Sequence, residues 1–90
     1  MSNKLIDFAR GFVESKMNAD DFSDSYILMW KEERDANRLS IDGKEVDEAS
    51  SSIFCLADCY NPESDRDNYE FDEVSLRKEI KATLEKFKLL

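Results

Sequence analysis

Apolar residues recur along this chain at helical spacing. Leu5, Phe8, Ala9, Phe12 and Val13 fall at i, i+3, i+4, i+7 and i+8, one stripe of an amphipathic helix over about residues 3–16. "MNADDF" breaks it. Asn18 can cap a second helix over 19–38, with Asp21 three residues on as a capping-box analogue. Its stripe runs Phe22, Tyr26, Met29 or Trp30, then Glu33; apolar early and polar late, its end should project from the core. "SYILMW" could form a strand, but its flanks are helical in composition. After the turn at Asp42-Gly43, a third helix over 44–60 presents Val46, Ala49, Ile53, Leu56, Ala57 and Tyr60. Pro62 limits it, because a residue before proline is biased away from the α region. Asp72 can cap a fourth helix over 73–88, with Leu76, Ile80, Leu84 and Phe87 as its stripe and Lys86 and Lys88 at the negative end of its dipole. Four such helices on short connections predict an all-α, antiparallel four-helix bundle, a single domain over residues 1–90.

Composition narrows the function. The 90 residues fit one domain, with 41% hydrophobic residues for one core and only two glycines and one proline. The net charge of -8 disfavours nucleic acid and anionic membrane surfaces and favours a basic protein partner. That charge is concentrated: residues 45–73 hold ten acids against one base, and residues 74–90 hold five bases against two acids. No stretch approaches the ~20 apolar residues of a membrane span, and no signal sequence is evident, so a cytoplasmic location is expected. Cys55 and Cys59 sit four apart on the third helix, a spacing that does not readily close a disulfide; with no histidine in the chain they lack partners for a zinc site. They read as free thiols at the edge of the helix stripe.

The candidate chemistry lies in "YNPESDRDNYEFDE", residues 60–73, where six acids and one arginine alternate with Tyr60, Tyr69 and Phe71. Read as an EF-hand from Asp65, it places Asp67 third but Tyr69 fifth, Glu70 where glycine is needed and Leu76 twelfth, so calcium is not expected. Nucleophilic and phosphate-cradling catalysis lack a histidine, a serine elbow and a glycine-rich loop. No enzyme activity, cofactor or metal is expected. "DSY", Asp24 to Tyr26, is faintly similar to the attachment site of acyl carrier proteins, which are also small, acidic and helical; that serine, however, opens a helix, and Ser25 falls inside one. Trp30 and Met29 read as core rather than as an interaction anchor. Aromatic rings beside carboxylates fit a protein interface with anchors and a charged surround, and spaced carboxylates can stand where phosphates would stand in a cationic active site. Another acidic nucleic-acid mimic is the alternative within that class.

The same segment resembles the colicin D immunity protein family. The resemblance rests on Pro62, Glu63, Asp65, Arg66, Asn68, Tyr69 and Glu70, on the Leu-Glu-Lys-Phe-Lys end at Leu84 to Lys88, and on an N-terminal block with Ile6-Asp7, Phe12, Ser15-Lys16 and Phe22-Ser23. It covers about half the chain; Ser25 to Ser52 departs from the pattern. It implies a four-helix protein that binds a basic tRNA-cleaving toxin domain, from a colicin or a contact-dependent inhibition system, and blocks its active site in a 1:1 complex. It places the acidic binding positions at Asp58, Glu63 and Asp65, with the acid type at Asp58 and Glu63 swapped relative to the family pattern. Asp67 is added by proximity. Tyr60 and Tyr69 are the expected anchors, and Arg66 an internal partner that holds the loop.

Overall fold

The helical periodicities fold as expected. The computed structural model describes residues 4–15, 17–36, 43–63, 65 and 70–89. It contains α1 (Lys4–Glu14), α2 (Ala19–Asp35), α3 (Lys44–Asp58) and α4 (Glu73–Lys86), an antiparallel four-helix bundle with no strand among the described residues. "SYILMW" is helical throughout, inside α2. Within the described residues no helix is long and apolar enough to cross a membrane.

Two helix starts use the expected caps. Asn18 Oδ1 accepts from the Asp20 N–H at 2.7 Å, and Asp72 Oδ1 from the Ser75 N–H at 2.8 Å, satisfying donors that an isolated helix end leaves orphaned. A further donor at the start of α2, the Ala19 N–H, is met at 2.9 Å by Glu73 Oε1 from α4. Here the capping acid comes from a neighbouring helix.

The core is built from Leu5, Ile6, Ala9 and Phe12 of α1; Ala19, Phe22 and Tyr26 of α2; Ala49, Ile53 and Ala57 of α3; and Leu76, Ile80 and Leu84 of α4. Burying each Ile, Leu or Phe contributes about 1.5–3 kcal/mol relative to exposure, so these stripes set the bundle. Phe12 and Phe22 stack with centroids 4.2 Å apart, and Phe22 meets Tyr26 at 5.4 Å. The Tyr26 hydroxyl donates to the Ser50 carbonyl at 2.7 Å inside the core. Burial therefore raises its pKa, with the hydrogen bond acting in the opposite direction. The stripe of α1 is rotated from expectation: Ile6 is fully buried, while Phe8 and Val13 are half-buried. Beyond Tyr26, α2 buries no residue completely. Trp30 is half-buried and stacks on Phe54 at 4.1 Å, and Met29 packs against the core edge.

The helix ends differ from expectation for local reasons. α1 ends at Glu14, and Lys16 lies outside the described residues. α2 ends at Asp35 with Ala36 as its C-cap, and residues 37–42 lie outside the description. α3 ends at Asp58 because Tyr60 leaves the helix to form a bridge with Phe71. α4 ends at Lys86: Lys88 takes φ 58° and the Leu89 N–H returns to the Leu84 carbonyl at 2.8 Å, a left-handed termination.

Candidate functional site

The connection between α3 and α4 begins at a clamp. The Asn61 N–H donates to the Phe71 carbonyl and the Phe71 N–H to the Cys59 carbonyl, both at 2.9 Å. These bonds form a two-residue parallel bridge, Tyr60 to Phe71, that closes the ends of the connection on each other. Asn61 then organises the chain within it. Its Oδ1 accepts from the Glu63 N–H at 2.9 Å, and its Nδ2 donates to Glu70 Oε1 at 3.2 Å. An Asn side chain that bonds the backbone two residues on is an Asx turn, here ahead of Glu63 and around Pro62. The "NP" dipeptide carries that turn signal in the sequence, but the second bond, to Glu70, becomes visible only once the clamp brings residues 61 and 70 together.

Asp58, Glu63 and Asp65 are all exposed. Asp58 ends α3 just before the clamp; Glu63 and Asp65 follow it. Among the described residues neither Asp58 nor Asp65 has a cation within ion-pair distance. Burial, then Asp58, Cys55 and Glu70, push the Cys59 thiol above its ordinary range. Acids therefore flank Cys59 from both sides of the clamp. Both cysteines are free; Cys59 is half-buried as expected, but Cys55 is exposed, because the face of α3 that meets the core runs through Ala49, Ser50, Ile53 and Ala57. Asp67, Tyr69 and Arg66 lie outside the described residues.

Tyr60 occupies the middle of this region. Its ring is half-buried against the core and its hydroxyl donates to Asp20 Oδ1 at 2.6 Å, tying the connection to the first turn of α2. Burial, the Asp20 bond, and the charges of Asp20, Glu73 and Asp24 all raise the pKa of the phenol. The fold thus gathers Asp20 and Asp24 from α2 and Glu73 from α4 around Tyr60. Sequence reasoning missed these α2 acids. The first-turn position of Asp20 suits the helix dipole, which explains it without reference to a residue forty positions away, and Asp24 reads as a solvated position one turn further on.

Arg77 holds the neighbouring corner. Its guanidinium donates to the Phe12 carbonyl, to Ser15 O at 3.2 Å and to Met17 O at 3.1 Å, while lying 4.1 Å over the Phe12 ring. α1 has no base in its own last turn, so a cation from α4 satisfies its terminal carbonyls. Glu73 and Arg77, four apart on α4, together fix the α1–α2 turn, one at the Ala19 N–H and the other at the carbonyls before it.

Ser25, the other candidate position, is exposed within α2, seven residues from its cap. The arrangement offers exposed carboxylates on a braced connection. Over residues 1–87 the chain matches the model of a protein family described as bacterial self-protective colicin-like immunity. No curated protein matches it.

Proposed function

Since the chain belongs to the colicin-like immunity family, and is thus a bacteriocin immunity protein that inhibits a toxin, we propose that its target is a basic, tRNA-cleaving toxin domain of the colicin D type. In this reading the acids of the α3–α4 connection fill the toxin's cationic RNA cleft. Asp58, Glu63 and Asp65 take the place of phosphates and pair with Lys, Arg or His side chains there. Inhibition is by occlusion, in a 1:1 complex in the cytoplasm, with no turnover.

The observation that carries the proposal is the clamp. Asn61 and Phe71 close the connection, and Asn61 then bonds Glu63 and Glu70. The carboxylates stand on a pre-shaped frame, so less conformational freedom is lost on binding. The anionic surround speeds encounter with a basic partner. Tyr69 belongs to the proposed surface as a position of the sequence resemblance, and Asp67 through its proximity to Asp65 in the chain. Tyr60, whose hydroxyl already holds Asp20, serves as a brace whose ring edge borders the contact.

An acyl carrier is disfavoured by the position of Ser25 inside a helix, and intact mass after expression checks it: no phosphopantetheine should be present. A nucleic-acid mimic would carry acids over a whole face, whereas α4 carries Arg77, Lys78, Lys81 and Lys86. The proposal is tested with basic tRNA-cleaving toxin domains of the colicin D type. One of them should co-purify with this chain, and adding the immunity protein should stop anticodon-loop cleavage of tRNA. A bound partner that cleaves no tRNA would refute the tRNase assignment.

A further inference from the structure

Beside the acidic connection lies a surface of the opposite kind. The last turn of α1 and the first turns of α4 border a groove of about 610 Å³ lined by Val13, Glu14, Val74, Arg77, Lys78 and Lys81. Its apolar part is Val13, half-buried, and Val74, 75% exposed. Val74 is the second residue of α4, where a polar residue would serve the helix equally well, and the bundle core makes no use of it. Arg77 is committed to the carbonyls of Phe12, Ser15 and Met17. Lys78 and Lys81 are exposed and, among the described residues, have no acid within ion-pair distance. Val74, Lys78 and Lys81 fall at i, i+4 and i+7, one face of α4, and this face begins where the acidic connection ends.

We propose that this groove receives the exposed acids Glu63 and Asp65 of a second copy of this chain, about a two-fold axis. Charge complementarity is the argument. A surface of one sign cannot pair with itself, but adjacent patches of opposite sign can. Rotated by half a turn, Lys78 and Lys81 of one copy pair with Glu63 and Asp65 of the other, and the reverse contact forms at the same time. Such an isologous contact closes on itself, whereas a head-to-tail contact would leave free ends. Val74 lies near the axis and is covered in both copies. The net charge of -8 opposes close approach, so pairing depends on these local contacts and is weak and salt-sensitive. The pair hides the acidic connection, so it competes with the toxin; that competition, unlike the pairing itself, rests on the proposed function.

Sedimentation velocity of the full chain alone tests the pairing, from micromolar to near-millimolar concentration. At low ionic strength the mass should rise from one chain towards two. At high salt the dissociation constant should increase by about tenfold or more. Val74→Asp puts an acid in the first turn of α4, which favours the helix, so the variant should keep its circular dichroism and stay monomeric. The double variant Lys78→Glu/Lys81→Glu should do the same. A protein that is monomeric throughout overturns the proposal. So does a dimer that both variants leave intact. A monomer whose Val74 and Lys78 amide resonances move with polyglutamate or dodecanoate also overturns it, and gives the groove to another occupant. No arm contains toxin, so failure here leaves the toxin reading standing.

Discussion

Arg77 shows how much one side chain contributes when it completes a helix that ends without its own cation. It bonds one carbonyl in the last turn of α1, Phe12, and two in the turn that follows, Ser15 and Met17, and it covers the Phe12 ring. Hydrogen bonds to a charged group contribute about 1.5–3 kcal/mol each at most, and they are not additive. Arg77→Ala should therefore lower unfolding stability by about 2–3 kcal/mol, measured by urea titration. Arg77→Lys should recover less than half of that loss, because an ammonium lacks the planar fork that reaches several acceptors at once. None of this is legible in "SLRKE", where the arginine reads as a solvated position on α4. The stripe residues Leu76, Ile80 and Leu84 were legible because periodicity reports burial directly. A long polar side chain that crosses to another helix leaves no periodic trace.

The connection is the element that distinguishes this bundle. Its charge and its proline were plain in the sequence, and so was the N-cap at Asp72. Its closure was not, because the Tyr60–Phe71 bridge pairs residues whose separation gives no turn signature. That bridge also explains why α3 stops at Asp58 when helical spacing continues through Tyr60. Asn61 is the residue on which the element depends, with one backbone and two side-chain bonds to described residues. Asn61→Ala should leave far-ultraviolet circular dichroism unchanged. It should accelerate exchange of the Glu63 amide, whose acceptor is removed, and weaken toxin binding by about tenfold, or ~1.4 kcal/mol. A variant with wild-type exchange at Glu63 would show that the Asx turn does not shape the connection.

Across the bundle, opposite charges occupy neighbouring surfaces, and two tyrosines tie α2 to the other elements, Tyr26 to α3 and Tyr60 from the connection. Tyr26 and Tyr60 both have folded-state pKa values raised above the ordinary 10.0, through burial first. A group raised in the folded state stabilises fully below its unfolded pKa and loses that contribution as pH climbs towards the folded value. Cys59, raised from 9.0, acts in the same sense. Stability from these groups should hold up to about pH 9 and fall beyond it. Tyr60→Phe should flatten the alkaline part of that curve, and should cost about 1 kcal/mol near neutrality through the lost bond to Asp20. If carboxylates of the α3–α4 connection bind the toxin, isothermal titration against the cognate toxin domain reads their contribution one by one. Asp58→Ala and Glu63→Ala should each cost about 2–5 kcal/mol by stranding a toxin charge. Glu45→Ala and Asp47→Ala, in the first turn at the opposite end of α3, should cost less than about 1 kcal/mol. If the Asp58→Ala/Glu63→Ala double variant binds the toxin as tightly as the wild type does, the connection is not the binding site.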